Sequence, residues 1–520
     1  MFAAAPVSAF APFVPSDGNR PDTGPYTEYR FPHLQRLPKV QPLALKTKAA
    51  SAVAGVSAFT YGWDTAFAIR IPDANAAIVK AGSSPKTFTQ VAPDNSCTAS
   101  GGFGPWQICR GGDGVLIHLA IPLTAGTMSY QGHTYAMAGG VVTIELALRQ
   151  LPPQPTPGTA AAAATAHDLV VQTQAVSATQ PAVSVMDLTL PVDPGFICKA
   201  LMSGLLATWF NANLDAFTHV FNTVTINRIV DKAQFQWLAP TNTSYAYANG
   251  ATDDDCIFGV LCMTQNRSDG GIASQLSPNA IPPGARSGFL IARERFLEEM
   301  VLPALPTAFP GSSAADFAMS SDKTAVISVA NVNTKSVECA GISYQPVMTA
   351  LNISVTGEEI VVSSVTRTDI ALGTYSEVTV TSYQRLKAAT KPDGSQTLVY
   401  EQTRPPIQDS ATKSTADGEA LKIILEVAAA VIAVVLTVLT DGAFLVVALI
   451  ILSLLVGLME ALPALIANAV GNQVSDASPS LALLVSNSTG PIRWPGGSDF
   501  TLTSAAMNDS LQLGGNPGFA

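Results

Sequence analysis

The sequence predicts an α+β fold in which twisted antiparallel sheets accompany long apolar helices. Two segments, 141–148 and 351–356, alternate apolar and polar residues, which is typical of strands with one face in water. The stretch 421–470 is rich in Ala, Leu and Val and carries few charges, which favours helices. Because parallel βαβ sheets are covered on both faces, the alternation argues against a Rossmann or TIM-barrel arrangement.

The composition excludes several classes of protein. The chain has 520 residues, of which 48% are hydrophobic and only 13% charged. An average soluble domain has roughly 25% charged residues, so this chain is neither a charge-rich disordered protein nor a coiled-coil rod. Its 28 Lys and Arg against 38 Asp and Glu, with a net charge of -10, also argue against nucleic-acid binding.

Residues 1–50 are rich in proline and show no sustained periodicity, which predicts a flexible arm. Its first part is apolar, but no basic residue precedes that part, and Pro6, Pro12 and Pro15 interrupt it. A conventional secretion signal needs a basic start and an unbroken apolar core. We therefore expect a protein that is cytoplasmic at synthesis and that, if released, leaves the cell without such a signal.

The rest of the chain divides into two halves by composition. Residues 51–310 mix strands with helices, whereas 311–520 are rich in strands and contain the apolar stretch 421–470. Within the first half, 151–167 consists largely of Pro and Ala, which predicts a long surface loop.

The first half contains one long segment with helical periodicity. Between 198 and 221, apolar residues recur every three to five positions, which predicts an amphipathic helix with an aromatic face. Asp215 and His219 lie four positions apart on it, and a polar flank explains them better than a metal or acid–base pair. Strands are predicted at 115–119, 141–148, 169–173 and 183–190.

A second helix is predicted at 287–302, where Pro303 and Pro306 would end it. The segment that follows, 324–403, alternates along most of its length and predicts an all-β region. Within it, Pro392-Asp393-Gly394 indicates a hairpin turn.

The apolar stretch carries a single charge, Asp441, between 427 and 459, and with Gly442 that residue predicts the turn of a helical hairpin. Three interpretations are open: helices buried by protein, a hairpin that enters a membrane only when triggered, and a permanent transmembrane hairpin. The candidate packing or membrane-facing residues are Val431, Val435, Leu445, Leu449 and Leu452.

No familiar catalytic or cofactor-binding motif occurs in the sequence. The five histidines are scattered without ligand spacing, and the six cysteines form no CxxC, which favours free thiols. Asp253, Asp254 and Asp255 are adjacent, so their carboxylates point in different directions and favour a solvated loop over a calcium site. We therefore expect a protein that is not an enzyme and that has no metal and no cofactor.

A set of local motifs occurs in a characteristic order. The first is Tyr61-Gly62-Trp63-Asp64, and the second is the aromatic-rich run 209–221. The third joins 235–240 to 244–247 and 258–261, the fourth spans 289–305, and the run 492–495 also fits. Together they resemble the OrfX and P47 proteins, which are encoded beside botulinum-type and insecticidal toxins. The resemblance extends from about residue 58 to the C-terminus.

This resemblance implies the TULIP (tubular lipid-binding) fold: an elongated molecule whose twisted antiparallel sheets are wrapped around long apolar helices, with a hydrophobic groove for lipid tails. It implies a role in the delivery or potency of a toxin, and it brings no catalytic residues. The Pro-rich arm and the loop at 151–167 depart from the family pattern, so a shared partner does not follow. Besides Gly62, Trp63 and Asp64 of the first motif, the site candidates are the groove residues Trp209, Phe210, Phe217, Phe221 and Trp237.

The leading hypothesis is a non-enzymatic accessory protein of a toxin gene cluster that binds lipid or another hydrophobic ligand. The expected partners are that ligand, neighbouring toxin-cluster proteins and a membrane surface, but no nucleic acid. One alternative is a protein–protein assembly module whose groove is filled by its own side chains. The other is a membrane-inserting toxin component that uses the hairpin at 427–459.

Overall fold

The computed structural model describes residues 26–30, 57–151, 166–175, 181–228, 234–309, 311–390, 396–417, 421–439 and 482–516. The strands of this part of the chain are β1 (Thr27–Arg30), β2 (Thr65–Arg70), β3 (Thr87–Val91), β4 (Cys97–Phe103), β5 (Gln107–Asp113), β6 (Leu116–Tyr130), β7 (His133–Ala136), β8 (Val141–Leu151), β9 (Ala166–Val171), β10 (Val183–Thr189), β11 (Asn222–Thr225), β12 (Pro240–Ala248), β13 (Ile257–Thr264), β14 (Ser287–Ile291), β15 (Phe317–Met319), β16 (Ala325–Ser328), β17 (Val332–Asn333), β18 (Val337–Cys339), β19 (Ile342–Tyr344), β20 (Val347–Thr356), β21 (Glu359–Ala371), β22 (Thr374–Thr390), β23 (Gln396–Ser414), β24 (Ile492–Arg493), β25 (Thr501–Asn508) and β26 (Ser510–Asn516).

The described helices are fewer and, with two exceptions, short. They are α1 (Ile71–Ala81), α2 (Phe196–Asn213), α3 (Arg293–Phe296), α4 (Leu305–Ala308), α5 (Leu421–Leu439) and α6 (Ala482–Thr489). A π-helical turn at Leu297–Val301 and a 3-10 turn at Leu302–Ala304 connect α3 to α4.

All strand pairs are antiparallel and most belong to two sheets. The large sheet has the order β12-β13-β2-β14-β26-β25-β22-β21-β20-β16-β15, with β1 and β23 beside β22 and with β17 beside β20. The small sheet has the order β24-β11-β9-β8-β6-β4-β3, with β5, β7 and β10 attached. Strands from both sides of the predicted division at 310 therefore lie in each sheet, since β24 to β26 complete sheets that start in the first half.

The main core lies between the two sheets and includes one face of α2. Tyr245 on β12 joins the sheets, since its hydroxyl donates to the carbonyl of Val115 at 2.5 Å and accepts from the amide of Leu148 at 2.6 Å. Burial raises the pKa of this phenol to about 12, so it is a neutral hydrogen-bonding group at physiological pH. The predicted strands at 115–119, 141–148, 169–173 and 183–190 are confirmed as parts of β6, β8, β9 and β10.

The prediction of one helix over 287–302 is wrong in its first part. Residues 287–291 form β14, which lies between β2 and β26 and is buried at every position. An inner strand covered on both faces loses its alternation, so its apolar run cannot be told from a buried helix by periodicity. Gly288 is required there because a side chain at this position would collide with the backbone of Ala280.

The predicted helix over 198–221 is also too long. α2 ends at Asn213, a 3-10 turn follows at Leu214–Ala216, and Phe217 is extended. Phe217, His219 and Phe221 are then buried at alternate positions. A spacing of four residues fits both a helix and a strand, which explains the error. Asp215 is exposed while His219 is buried, so the two do not form one polar flank.

The two long helices lie against different sheets. α2 packs on β3, β4 and β10 of the small sheet, whereas α5 packs on strands of the large sheet. The α+β class with mainly antiparallel sheets is thus observed. The finer expectation, a TULIP-like wrapping of sheets around helices, stays a prediction, as does the division at 310. Within the predicted arm, Thr27–Arg30 form β1, which pairs with β23. The rest of the arm apart from Tyr26, most of the 151–167 loop and the turn predicted at 392–394 lie outside the described residues.

Candidate functional site

The predicted groove residues on α2 lie inside the core. Trp209 and Phe210 are almost fully buried, and Phe210 contacts the rings of Phe103 at 5.7 Å and Trp106 at 5.4 Å between centroids. The centroids of Phe103 and Trp209 are 5.1 Å apart. These distances are those of favourable aromatic pairs, so the protein's own rings fill the space around α2.

The aromatic contacts continue into the segment after α2. Phe217 stacks on Trp106 at 4.7 Å, and Phe217 and Phe221 are 6.2 Å apart. His219 lies between them, with Nδ1 3.0 Å from the hydroxyl oxygen of Ser83, and burial lowers its pKa to about 4. It is therefore a neutral core histidine at physiological pH. The structure brings Trp209, Phe210, Phe217 and Phe221 together as packing, with Trp237 elsewhere in the same core.

An open groove lies on the opposite side of α2. It has a volume of about 700 Å³ and runs between β10 and the last turns of α2, with one side open to solvent. Asn211 binds the two elements together, because its side chain accepts from the amide of Val183 at 3.1 Å and donates to the carbonyl of Val183 at 3.0 Å. The groove is lined by Pro181, Val183, Ser184, Val185, Ala207, Thr208, Asn211 and Ala212.

An exposed apolar tip lies at the other end of the β10–α2 unit, where the chain turns from the strand into the helix. Val192 is 74% exposed, Phe196 88% and Ile197 64%. About 10 residues of helix, roughly 15 Å at 1.5 Å per residue, separate this tip from the nearest groove residue on α2, Ala207. Exposed large apolar side chains that cluster are a mark of interaction surfaces, whereas single ones are ordinary.

The first family motif has a structural role. Gly62 has a φ of +96°, which a residue with a side chain adopts only under strain, and it lies against Ile272. Trp63 is buried and its Nε1 donates to the carbonyl of Ala273 at 3.2 Å. The motif thus turns the chain into β2 and holds the loop around residue 272 over it.

Asp64 joins a buried charged network that the sequence analysis did not identify. Its Oδ2 accepts from the amide and the hydroxyl of Thr264 at 2.8 and 2.9 Å, and its Oδ1 is 3.1 Å from a guanidinium nitrogen of Arg267. Arg295, fully buried, lies 2.6 Å from Glu298 and 3.1 Å from Glu299, and covers the ring of Trp237 at 5.4 Å. The Nε of Arg295 also lies 3.8 Å from Oδ1 of Asp64, and a terminal nitrogen of Arg295 donates to the hydroxyl of Thr264 at 3.4 Å. These paired charges connect α3 to the end of β13.

The structure describes two of the five predicted packing or membrane-facing residues of the apolar stretch. Val431 and Val435 are buried in a cluster with Val378 and Val380 of β22. Leu445, Leu449 and Leu452 lie outside the described residues. Over the described ranges, α5 is the one helix long and apolar enough to cross a membrane, with 28% of its most apolar window buried.

The described part of the chain contains no group of three or more His, Cys, Asp or Glu side chains that could hold a metal ion. All six cysteines are free thiols. The Asp253–Asp255 run forms a 3-10 turn in which no side chain is buried.

Fold and sites together define a class: a β-rich protein of two large antiparallel sheets with a filled aromatic core, an open apolar groove and a surface-lying apolar helix. A family model described as OrfX-like, Protein OrfX2/OrfX3/P47, matches residues 60–515. The chain therefore belongs to this toxin-cluster family, as its motifs predict.

Individual relatives agree with this assignment. The chain is 27% identical over 486 residues to Protein OrfX3 of Paraclostridium bifermentans and 30% identical over 491 residues to Protein OrfX3 of Clostridium botulinum (strain Kyoto / Type A2). Each alignment covers 88% of this chain and 98% of the relative. Among solved structures, P47 from Clostridium botulinum A2 has a TM-score of 0.58 at 16% identity, covering 90% of this chain and all of that one. P47 of Clostridium botulinum E1 has a TM-score of 0.53 at 15% identity, covering 88% of this chain and all of that one. These two structures support the fold.

Proposed function

We propose that this protein is a non-enzymatic accessory protein of a toxin gene cluster that binds a lipid or another hydrophobic ligand in the groove between β10 and α2. The observation that carries the proposal is the lining of that groove. Its eight residues are aliphatic side chains, two hydroxyls and one amide, with no ionisable group among them. Such a lining suits an apolar ligand with a few polar atoms and offers nothing for acid–base chemistry.

The groove is shallow. Its volume of about 700 Å³ is largely open to solvent on one side, so it would contact an extended acyl chain along one side only. Ser184 offers a hydroxyl that can donate to a carboxyl or ester oxygen, while Val183, Val185 and Ala207 contact the acyl chain of the ligand. The hydroxyl of Thr208 donates to the carbonyl of Gly204 at 2.9 Å, so it can only accept from the ligand. The aromatic residues behind α2 support the groove from the core side instead of lining it.

A substitution that fills the groove tests the proposal. Ala212→Trp places an indole in the groove, and Ala200→Trp places the same side chain on an exposed position of α2 outside it. Native mass spectrometry is performed on each protein as purified from cells and after addition of oleic acid. We expect ligand-bound masses for the wild type and Ala200→Trp, and a loss of about tenfold in occupancy for Ala212→Trp, which corresponds to about 1.4 kcal/mol. A wild type that gives only the apo mass and takes up no oleic acid would contradict the proposal.

A protein–protein assembly module is the second candidate, and the exposed apolar tip favours it. Val192, Phe196 and Ile197 form a surface patch well away from the groove. Their exposure is the kind of feature that a partner protein covers. Co-expression with the neighbouring toxin-cluster proteins, followed by size-exclusion chromatography, tests it. A complex that survives delipidation and that the double variant Phe196→Ser, Ile197→Ser disrupts would support assembly; a complex that ignores the double variant would contradict docking at the tip.

A further inference from the structure

We propose that α5 is a detachable helix that leaves the large sheet and inserts into the hydrocarbon core of a lipid bilayer. This activity goes beyond ligand binding at the β10–α2 groove and uses a different part of the molecule. Three features carry it: the composition of α5, the way α5 lies on the sheet, and the chemistry of the sheet face beneath it.

The length and composition of α5 match a bilayer. The helix spans 19 residues with a mean hydropathy of 2.5 over its most apolar window. At roughly 1.5 Å per residue it is about 28 Å long, against a hydrocarbon thickness of roughly 30 Å. Its charged residues, Lys422 and Glu426, lie in the first two turns. The remaining turns carry no charge that would oppose insertion.

Only one stripe of α5 is covered. Ala428, Val431, Ile432, Val435, Leu436 and Leu439 recur at helical spacing and are buried. The other side is exposed at Lys422, Ile423, Glu426, Ala430, Val434 and Thr437. A helix at the surface of a soluble protein normally has a polar outer face. Beyond its first two turns, α5 instead presents Ala430 and Val434 to water, with Thr437 as the one exposed polar residue, whose hydroxyl donates to the carbonyl of Ala433 at 3.1 Å. This composition favours transfer of that part of the face to an apolar environment.

The sheet face beneath α5 is rich in hydroxyl groups. Val378 contacts the α5 cluster, and its two neighbours across the sheet are Thr366 on β21 and Ser410 on β23. In an antiparallel sheet such paired residues point to the same face. The next pair on this face is Ser376 and Thr412, whose hydroxyls bond each other at 2.9 Å.

The hydroxyls of Thr366 and Ser410 are buried without a hydrogen-bond partner. Burial of an unpaired hydroxyl costs free energy, and water would satisfy such a group once the departure of α5 uncovered it. Val378 and Val380 would lose apolar contact on exposure, and the hydrogen bonds that the hydroxyls then gain to water offset part of that loss. The sheet face is therefore compatible both with α5 bound and with α5 absent. A face that stays covered permanently would not need hydroxyl groups.

Vesicle flotation tests the insertion. The full-length protein is mixed with vesicles of phosphatidylcholine and a minority of phosphatidylglycerol, washed with alkaline carbonate to remove peripheral protein, and floated on a gradient. Val434→Asp places a charge on the outer face of α5, and Leu372→Asp makes a similar change at a fully exposed apolar residue in the β21–β22 turn. We expect the wild type and Leu372→Asp to float, and Val434→Asp to lose at least about tenfold of the floating fraction, since a charge within the bilayer is costly.

A second variant strengthens the docked state without touching α5. Thr366→Val with Ser410→Ala removes both unpaired hydroxyls, so we expect a higher melting temperature and a slower insertion, by about fivefold or more. Ala212→Trp, which fills the ligand groove, should float like the wild type, so failure of ligand binding and failure of insertion are distinguishable. The proposal is overturned if the wild type does not float or if Val434→Asp floats as the wild type does. It is also overturned if Leu372→Asp loses flotation as much as Val434→Asp, or if the double variant inserts at the wild-type rate. Loss of flotation in Ala212→Trp would overturn it too.

Discussion

The two long apolar helices of this protein lie in opposite surroundings. α2 turns its aromatic side toward Phe103, Trp106 and Phe217, whose rings fill the space between the sheets. α5 lies on a face where Val378 is flanked by unpaired hydroxyls, and its outer side is open to water. Apolar composition alone does not distinguish the two helices. The side chains opposite each one decide which is a permanent core element and which can leave.

The largest effect is expected at the aromatic core. Phe210→Ala removes a fully buried ring and leaves a cavity that its neighbours cannot close, so it should lower the free energy of unfolding by about 3–5 kcal/mol. Urea denaturation followed by tryptophan fluorescence measures it. Phe59→Ala, at an exposed ring, is the control and should change stability by less than about 0.5 kcal/mol. Equal effects of the two substitutions would mean that the space around α2 is a ligand chamber and not a packed core.

Acid should weaken the same region. Burial lowers the pKa of His219 from 6.5 to about 4, so the folded protein disfavours the protonated imidazole. Stability is complete above the unfolded-state pKa, falls as the pH drops through the window from 6.5 towards 4, and then levels off. The total loss is about 3 kcal/mol. In His219→Gln this component should vanish, so the unfolding free energy of the variant should depend less on pH over that window. An identical pH dependence in both proteins would show that His219 does not cause the loss of stability in acid.

A smaller loss is expected where α5 meets the sheet. Leu436→Ala should cost about 2 kcal/mol, the lower end for a buried leucine, because the helix is covered on one side only and can settle into the gap. Val434→Ala, on the outer face, should be nearly neutral. The measurement is urea denaturation as for Phe210→Ala. If Leu436→Ala destabilises the protein as much as Phe210→Ala does, the two helices are equally integral and the comparison fails.

The smallest effect has the opposite sign. Ser410→Ala removes a buried hydroxyl that has no partner, so it should stabilise the protein by about 0.5–1 kcal/mol. Thr412→Val is the matched control, because the hydroxyl of Thr412 bonds Ser376 and its removal leaves that partner unpaired. Calorimetric melting temperatures should therefore move in opposite directions. A shift of the same sign for both would show that hydrogen bonding does not govern this face.

Local patterns predicted the half-buried strands well. Alternation along 141–148 reports a strand directly, because each side chain records the environment of its own face. Periodicity fails to identify β14, because this strand is buried on both faces. It also fails for 214–221, because apolar residues four positions apart fit both a helix and a strand. Family membership was predictable because several motifs occur in order, although each is weak alone.

The sites were less predictable than the fold. Aromatic character indicates that Trp209 and Phe217 are sheltered, but it does not say whether protein or ligand shelters them. The groove depends on small residues such as Ala207 and Ala212, which carry no local signal. The pairing of Asp64 with Thr264 joins residues 200 positions apart, and only the folded sheet brings them together. The hydroxyls of Thr366 and Ser410 become informative only once β22 places them on either side of Val378.

Hydrogen–deuterium exchange, measured with and without the phosphatidylcholine–phosphatidylglycerol vesicles, tests the difference between the two helices most directly. In solution, the amides of α2 should open only with global unfolding, whereas those of α5 should exchange faster through a local opening. Added vesicles should slow exchange in α5, because its amides enter the bilayer, and should speed exchange in the strands that α5 leaves uncovered. Equal protection of α2 and α5 in solution, unchanged by vesicles, would contradict the account.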